Sequence, residues 1–135
     1  MSRNSENRRS AAPAMPRFHK LSPEMQRWSA MLAEELIQWP SVTTKPMFGL
    51  TSFYRGKTIF AAVPKSRALG SPHAVIFKLP KDSRWRGAAL KESRIQPGNM
   101  ETHKWFPFEI GGESDLRDAL LWFERAFQSA KAPRK

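Results

Sequence analysis

The fold of this chain is constrained most by the order of its segments. Short β-type runs lie together between two amphipathic helices. The first helix starts at Ser22, a residue type that caps helices, and Pro23 suits the first helical position. From Met25 to Trp39 its apolar residues recur every three or four positions, so they form one face. Pro40 predicts where this helix ends. The helix is therefore expected to cover a core.

The second long helix follows a glycine pair near the end of the chain. Gly111-Gly112 breaks the strand before it, and Ser114 is its predicted cap. Its apolar residues repeat at helical spacing. They are Leu116, Leu120, Phe123 and Phe127.

Between the helices, turn signals separate five β-type runs. Arg55-Gly56-Lys57 is a tight turn that joins two of the runs into a hairpin. Pro64–Pro72 is predicted to be a loop, and a short helix is predicted from Pro80 to about Lys91. Pro107 cannot donate a ladder hydrogen bond, so the last run should lie at a sheet edge or contain a bulge. The runs are Val42–Thr44, Leu50–Tyr54, Thr58–Val63, His73–Leu79 and Lys104–Ile110.

This order, α-β-β-β-β-α-β-α, predicts an α+β fold of two layers. Consecutive strands joined by short turns pair antiparallel, and each terminal helix has one apolar face to bury. We therefore expect a single antiparallel sheet of four to five strands packed against the N- and C-terminal helices.

Length and composition agree with one domain. The chain has 135 residues, of which 40% are hydrophobic, and this suits a single core. It has no cysteine, which excludes disulfide scaffolds and thiolate metal sites. We expect residues 1–20 to be a disordered basic tail, 21–130 the domain, and 131–135 a second basic tail. No run is long and apolar enough for a membrane span, so we predict a cytoplasmic protein without a membrane partner.

Part of the chain resembles a known family. The sequence VTTKPMFG at 42–49, followed by FYRGKTIFA at 53–61, is similar to the TfoX N-terminal domain and to the small MmcQ/YjbR-like proteins. The resemblance extends over about residues 22–130. It implies a two-layer fold with one antiparallel sheet and a role in regulation or DNA binding. It implies no established catalytic residue.

The stretch Met47-Phe48-Gly49 within this resemblance has two interpretations. In the structural one, Phe48 fills the core and Gly49 permits a bulge or a positive φ. In the functional one, Gly49 lets a ligand approach the backbone closely. The residue types favour the structural interpretation.

The sequence lacks the common motifs of enzymes. It contains no glycine-rich phosphate loop, no His-Glu-x-x-His pair and no Gly-x-Ser-x-Gly elbow. We therefore predict a non-enzymatic protein without a cofactor. His73, His103 and Glu101 are the side chains from which a metal site is imaginable. Isolated surface histidines are common, so no metal site is predicted.

Positive charge is concentrated in the middle of the chain. The net charge is +11, and residues 45–104 contain twelve basic residues against three acidic ones. Basic groups neutralise phosphates, and an exposed tryptophan stacks on a base, so the favoured partner is nucleic acid. The alternative is a solvated basic surface, with Trp85 anchoring its helix to the core. The predicted binding residues are Lys57, Lys78, Lys81, Arg84, Trp85, Arg86, Lys91, Arg94, Lys104 and Trp105.

Alternation along the strands predicts a second type of partner. If one sheet face packs on the helices, the other presents Phe60, Ile76 and Trp105. Large apolar groups on a face that should be wet indicate a protein-interaction or homodimer surface. The alternative is that a loop or the short helix covers them.

Overall fold

The computed structural model describes residues 18–95 and 104–130. Its helices are α1 Pro23–Leu36, α2 Arg86–Lys91 and α3 Leu116–Ser129, and a 3-10 turn at Glu113–Asp115 precedes α3. Its strands are β1 Phe18–Lys20, β2 Val42–Met47, β3 Leu50–Arg55, β4 Thr58–Pro64, β5 Arg67–Leu69, β6 Ala74–Lys78 and β7 Trp105–Glu109.

Five strands form one antiparallel sheet in the order β2-β3-β4-β6-β7. The two long helices cover one of its faces, which confirms the predicted α+β fold and, apart from two additional short strands, its element order. The main core lies between these layers. It includes Leu32 from α1, Phe123 from α3, and Phe53, Phe77 and Phe106 from the sheet.

The remaining two strands, β1 and β5, pair antiparallel as a separate ribbon. The sequence places Phe18–Lys20 in the N-terminal tail and Arg67–Leu69 in a loop, and the structure shows that both assignments are wrong. Each strand has three residues, which is too short for a periodic pattern to be recognised. The rest of the predicted tails, 1–17 and 131–135, lies outside the described residues, as does the turn predicted at Pro97-Gly98-Asn99.

The helix starts show one correct and one wrong prediction. The Ser22 hydroxyl accepts a hydrogen bond of 3.1 Å from the Met25 N–H, so Ser22 caps α1 as predicted. Ser114 does not cap α3, because a 3-10 turn precedes that helix and Asp115 occupies the cap position. The Asp115 side chain instead accepts a hydrogen bond of 2.7 Å from the Gly111 N–H.

A β-bulge in β4 changes which side chains reach the core. Phe53 pairs with Ala61 while its neighbour Tyr54 pairs with Ile59, so Phe60 is an extra residue. Phe60 and Ala61 therefore both belong to the main core on the helix side. The Phe60 ring is fully buried and parallel to Trp39, at 6.2 Å between centroids. The predicted outward position of Phe60 is wrong, because the bulge shifts the alternation by one residue.

The turn between β2 and β3 consists of Phe48 and Gly49, between the paired residues Met47 and Leu50. Both turn residues have positive φ, +52° and +87°, the pattern of a type I′ hairpin turn. Phe48 is 72% exposed, so the prediction that it fills the core is wrong. The positive φ predicted for Gly49 is confirmed.

Two proline-containing strands, β2 with Pro46 and β7 with Pro107, lie at the two edges of the five-stranded sheet. Of the two positions predicted from Pro107, a sheet edge or a bulge, the structure shows the edge. Ile95 makes an isolated bridge to Phe108 on the outer side of β7.

Candidate nucleic-acid interface

The sheet face that points away from the helices carries a small apolar cluster. Next to the cluster, towards the end of the sheet that is farther from the Phe48 turn, lies a row of larger side chains. We call this sheet face the outer face. Its cluster consists of Leu50, Ala62 and Ile76, with Met47, Leu69 and Trp105 packed against them. Strand pairing opposes Tyr54 to Ile59 and Lys78 to Trp105 at the end of the sheet away from the Phe48 turn. We call Tyr54, Ile59, Lys78 and Trp105 the aromatic row.

A lysine accompanies each aromatic ring of the row. The Lys45 ammonium lies 5.1 Å from the centre of the Tyr54 ring, and the Lys78 ammonium lies 5.9 Å from that of Trp105. Both rings are partly exposed. Three strand spacings separate Tyr54 from Trp105, which corresponds to about 14 Å. The row thus contains two partly exposed aromatic rings, each with a lysine ammonium over it.

The two layers of the fold differ in charge. Helix α1, helix α3 and the 3-10 turn together contain seven acidic and three basic residues. On the outer face, by contrast, Glu109 is the one carboxylate among the described strand residues, as alternation and pairing place them. Glu109 accepts a hydrogen bond from the Ser71 hydroxyl, and it lies at the end of β7 opposite to Trp105. The part of the outer face that carries the aromatic row is therefore positive.

Several predicted nucleic-acid-binding residues gather around the aromatic row. Lys78 and Trp105 belong to it, and Lys104 lines one pocket together with Lys78 and Thr58. Lys57 lies in the two-residue turn between β3 and β4, next to the end of β3. Four of the ten predicted residues are therefore at this end of the domain.

Trp85 and its arginine neighbours do not belong to the outer face. Trp85 is partly buried and packs against the main core, with the Arg84 guanidinium 4.9 Å and the Arg125 guanidinium 4.4 Å from its ring. Arg86 lies 5.3 Å from the ring of Phe106, a residue of the main core. These contacts agree with the alternative interpretation, in which Trp85 anchors its helix to the core.

The Arg94 guanidinium is hydrogen-bonded to three carboxylates. It donates hydrogen bonds to Glu92 at 2.8 and 3.1 Å, to Asp115 at 2.9 Å and to Asp118 at 3.1 Å. These bonds raise the pKa of Arg94 above its ordinary value, and the bond to Arg94 lowers the pKa of Glu92. We call these four residues the Arg94 cluster. Because its charge is compensated by three carboxylates, Arg94 is poorly suited to bind a phosphate.

The two remaining predicted cations lie outside the strands of the sheet. Lys81 is exposed in the segment after β6, and Lys91 is exposed at the end of α2, whose Ala89 belongs to the main core. The ten predicted residues therefore do not converge on one face.

The predicted protein interface is also altered by the structure. Ile76 faces outward as predicted but is 1% exposed, because Met47, Leu69 and Trp105 pack on its cluster. Phe60 lies on the opposite face. Of the three predicted interface residues, Trp105 alone remains partly exposed.

Tyr54 and Lys45 belong to this candidate surface but are absent from the residues predicted from the sequence. Alternation along β3 places Tyr54 opposite to the buried Phe53, so its direction was readable from the sequence. Its position in a row with Trp105 was not, because that depends on which strands are neighbours.

The described residues contain no group of three His, Asp or Glu side chains arranged to hold a metal. His73 lies 4.0 Å from Glu109, whereas Glu101 and His103 lie outside the described residues. None of the helices described has both the length and the apolar character needed to cross a membrane.

Comparisons of this chain with models of known protein families, with curated proteins and with solved structures give no match.

Proposed function

We propose that this chain is a non-enzymatic, cytoplasmic domain that binds single-stranded nucleic acid through its outer face. The observation that carries the proposal is the aromatic row, in which Tyr54 and Trp105 each lie beside a lysine on a face with almost no carboxylate. We also propose that the chain belongs to the TfoX N-terminal/YjbR-like group, since its two-layer architecture is the one that this resemblance implies.

Single strands fit this surface better than duplexes. Bases within a duplex are stacked on each other, so a side-chain ring on a sheet reaches only bases that are unpaired. Base stacking on an aromatic side chain contributes about 1–3 kcal/mol and tolerates any base. Lys45 and Lys78 are placed to neutralise phosphates beside the stacked bases.

The proposal is tested by fluorescence anisotropy of a labelled oligothymidylate titrated with the protein. Trp105→Ala should weaken binding about 5- to 150-fold, the range that corresponds to one lost stacking contact. Trp105→Phe should restore most of the affinity, because a ring remains. Lys78→Met should lower affinity and reduce the slope of log affinity against log salt by about 0.7, the value for one phosphate contact on a single strand.

Lys91→Met is the matched control, because it removes an equal charge from α2, away from the outer face. It should leave both affinity and salt slope nearly unchanged. Binding at about 50 mM salt no better than that of an unrelated basic protein of similar charge contradicts the proposal. So does an equal loss for Lys91→Met and Lys78→Met, since it shows that total charge rather than this face decides binding.

A further inference from the structure

Phe48 is a bulky aromatic residue in a conformation and a location that both disfavour it. It is the most exposed large apolar side chain among the described residues, at 72%, and its φ is +52°. The first residue of a type I′ turn is usually Asn, Asp or Gly, because other residues are strained at positive φ. An exposed ring adds nothing to the core that would offset this strain. Backbone strain of this kind is concentrated at functional sites.

The turn that carries Phe48 is held firmly by its own chain. The Gly49 carbonyl accepts hydrogen bonds from the N–H groups of Lys65, Ser66 and Arg67, at 3.0, 2.8 and 3.3 Å. The Arg67 side chain donates another, of 3.2 Å, to the Phe48 carbonyl. A Cβ atom at Gly49 would lie 2.5 Å from the Arg67 Cγ, so this close approach serves the fold. The ring is therefore presented on a rigid support, which reduces the entropy lost on binding.

A second exposed ring and a guanidinium lie beside Phe48. The ring of Phe18, which is 42% exposed, has its centre 6.5 Å from that of Phe48. The Arg67 guanidinium lies 4.3 Å from the Phe18 ring. We call Phe18, Phe48 and Arg67 the aromatic corner.

The surroundings of the corner are basic. The ribbon strands, the β2–β3 hairpin and the segment that joins β4 to β5 contain no acidic residue in the part of the chain described. Their cations include Lys20, Lys45 and Lys65. A partner that fits must be anionic and must offer flat apolar surfaces, and unpaired nucleobases between phosphates have this combination.

The corner continues the outer face. Met47, the residue before Phe48, packs on the same apolar cluster as Trp105. Five residues of β3 and its turn separate Phe48 from Tyr54, which corresponds to at most about 20 Å. A single strand of nucleic acid that is long enough to reach from the aromatic row to the turn would therefore contact both the row and the aromatic corner.

We propose that the aromatic corner is a third base-stacking position, which extends the binding site so that only longer single strands occupy it fully. This inference rests on the proposed function. It predicts that longer oligonucleotides bind more tightly than short ones, and that this gain in affinity is lost when the Phe48 ring is removed.

Phe48→Asn is the informative variant, because it removes the ring and also relieves the turn. Asn-Gly is a preferred type I′ sequence, so the variant should unfold at a higher temperature than the parent chain. Its net charge is unchanged, so its salt slope should be too. With an oligothymidylate of about twelve nucleotides its affinity should fall about tenfold, and with one of about four it should match the parent. Phe48→Trp should retain the affinity for the longer strand.

The outcomes separate the two proposals. If the parent chain binds neither length, the proposed function fails. If the parent binds and Phe48→Asn binds the longer strand equally well, or loses affinity equally for both lengths, the third position is refuted and the proposed function stands. If Phe48→Asn keeps oligonucleotide binding but abolishes self-association seen by light scattering, the corner is a protein contact and the inference is wrong.

Discussion

Replacing Arg94 by methionine should destabilise the domain and leave its affinity for nucleic acid nearly unchanged. Arg94 holds three carboxylates from two regions of the chain, since Glu92 is two residues away whereas Asp115 and Asp118 precede or belong to α3. Methionine keeps an aliphatic side chain next to Phe108, over which the guanidinium lies at 4.9 Å. The substitution therefore removes mainly the charged hydrogen bonds.

The size of the effect follows from the exposure of these groups. The side chains of Arg94, Glu92 and Asp115 are 31%, 21% and 21% exposed, and that of Asp118 is 46% exposed. Water therefore weakens each pair, and about 0.5–1 kcal/mol per carboxylate is appropriate. We expect a total loss of about 1.5–3 kcal/mol, which lowers Tm by about 6–12 °C for a domain of this size.

The loss should depend on pH. The pKa of Glu92 is lowered in the folded protein by its bond to Arg94, so this pair stabilises the fold above the ordinary carboxyl pKa of about 4.3. The stabilisation disappears as the pH falls through the lowered pKa. The difference in Tm between the parent chain and Arg94→Met should therefore be constant near neutral pH and should narrow below about pH 4.

Thermal unfolding followed by circular dichroism, together with oligonucleotide titration, measures both effects. Arg27→Met on the exposed surface of α1 is the control, because it removes the same charge without a described partner. A decrease in Tm no greater than that of Arg27→Met refutes the structural role of the cluster. A loss of affinity much larger than that of Arg27→Met refutes the conclusion that Arg94 is not a binding residue.

Two further predictions concern the backbone. Phe60→Ala should destabilise the fold by about 3–5 kcal/mol, and Ile59→Ala by clearly less. If chemical denaturation gives the opposite order, the bulge is contradicted, because unbroken alternation buries Ile59 instead. Gly49→Ala should destabilise the fold by about 2–3 kcal/mol, since it combines a positive φ with a clash against Arg67. Gly87→Ala in α2 has open space around the added methyl group and should stabilise the fold by about 0.5–1 kcal/mol. Equal Tm values for the Gly49 and Gly87 variants would refute this account of the turn.

The elements of the fold were predictable wherever a local pattern determines them. Ser22 and Pro23 mark the start of α1, and the apolar spacing of both long helices requires a sheet to cover. The bulge was not predictable, because Ile59 and Phe60 are both apolar and either can occupy the core position. The β-bulge becomes visible only when the partner strand defines the pairing.

The candidate site was predictable only in part. Lys78 and Trp105 belong to strands with clear alternation, and the structure places them on the outer face as expected. Trp85 and Arg94, which the structure does not place on that face, are predicted from charge and residue type within one segment. Their actual partners, Arg125, Asp115 and Asp118, come from a helix and a turn at least twenty residues later in the chain.

The prolines at both edges of the sheet restrict how copies of this domain can associate. An exposed edge strand offers free N–H and C=O groups to a strand from another chain, which is how sheets grow into amyloid-like aggregates. Pro46 and Pro107 each remove a donor from an edge strand, and Lys45 adds a charge beside Pro46. Continuous growth of the five-stranded sheet across molecules is therefore obstructed at both of its edges.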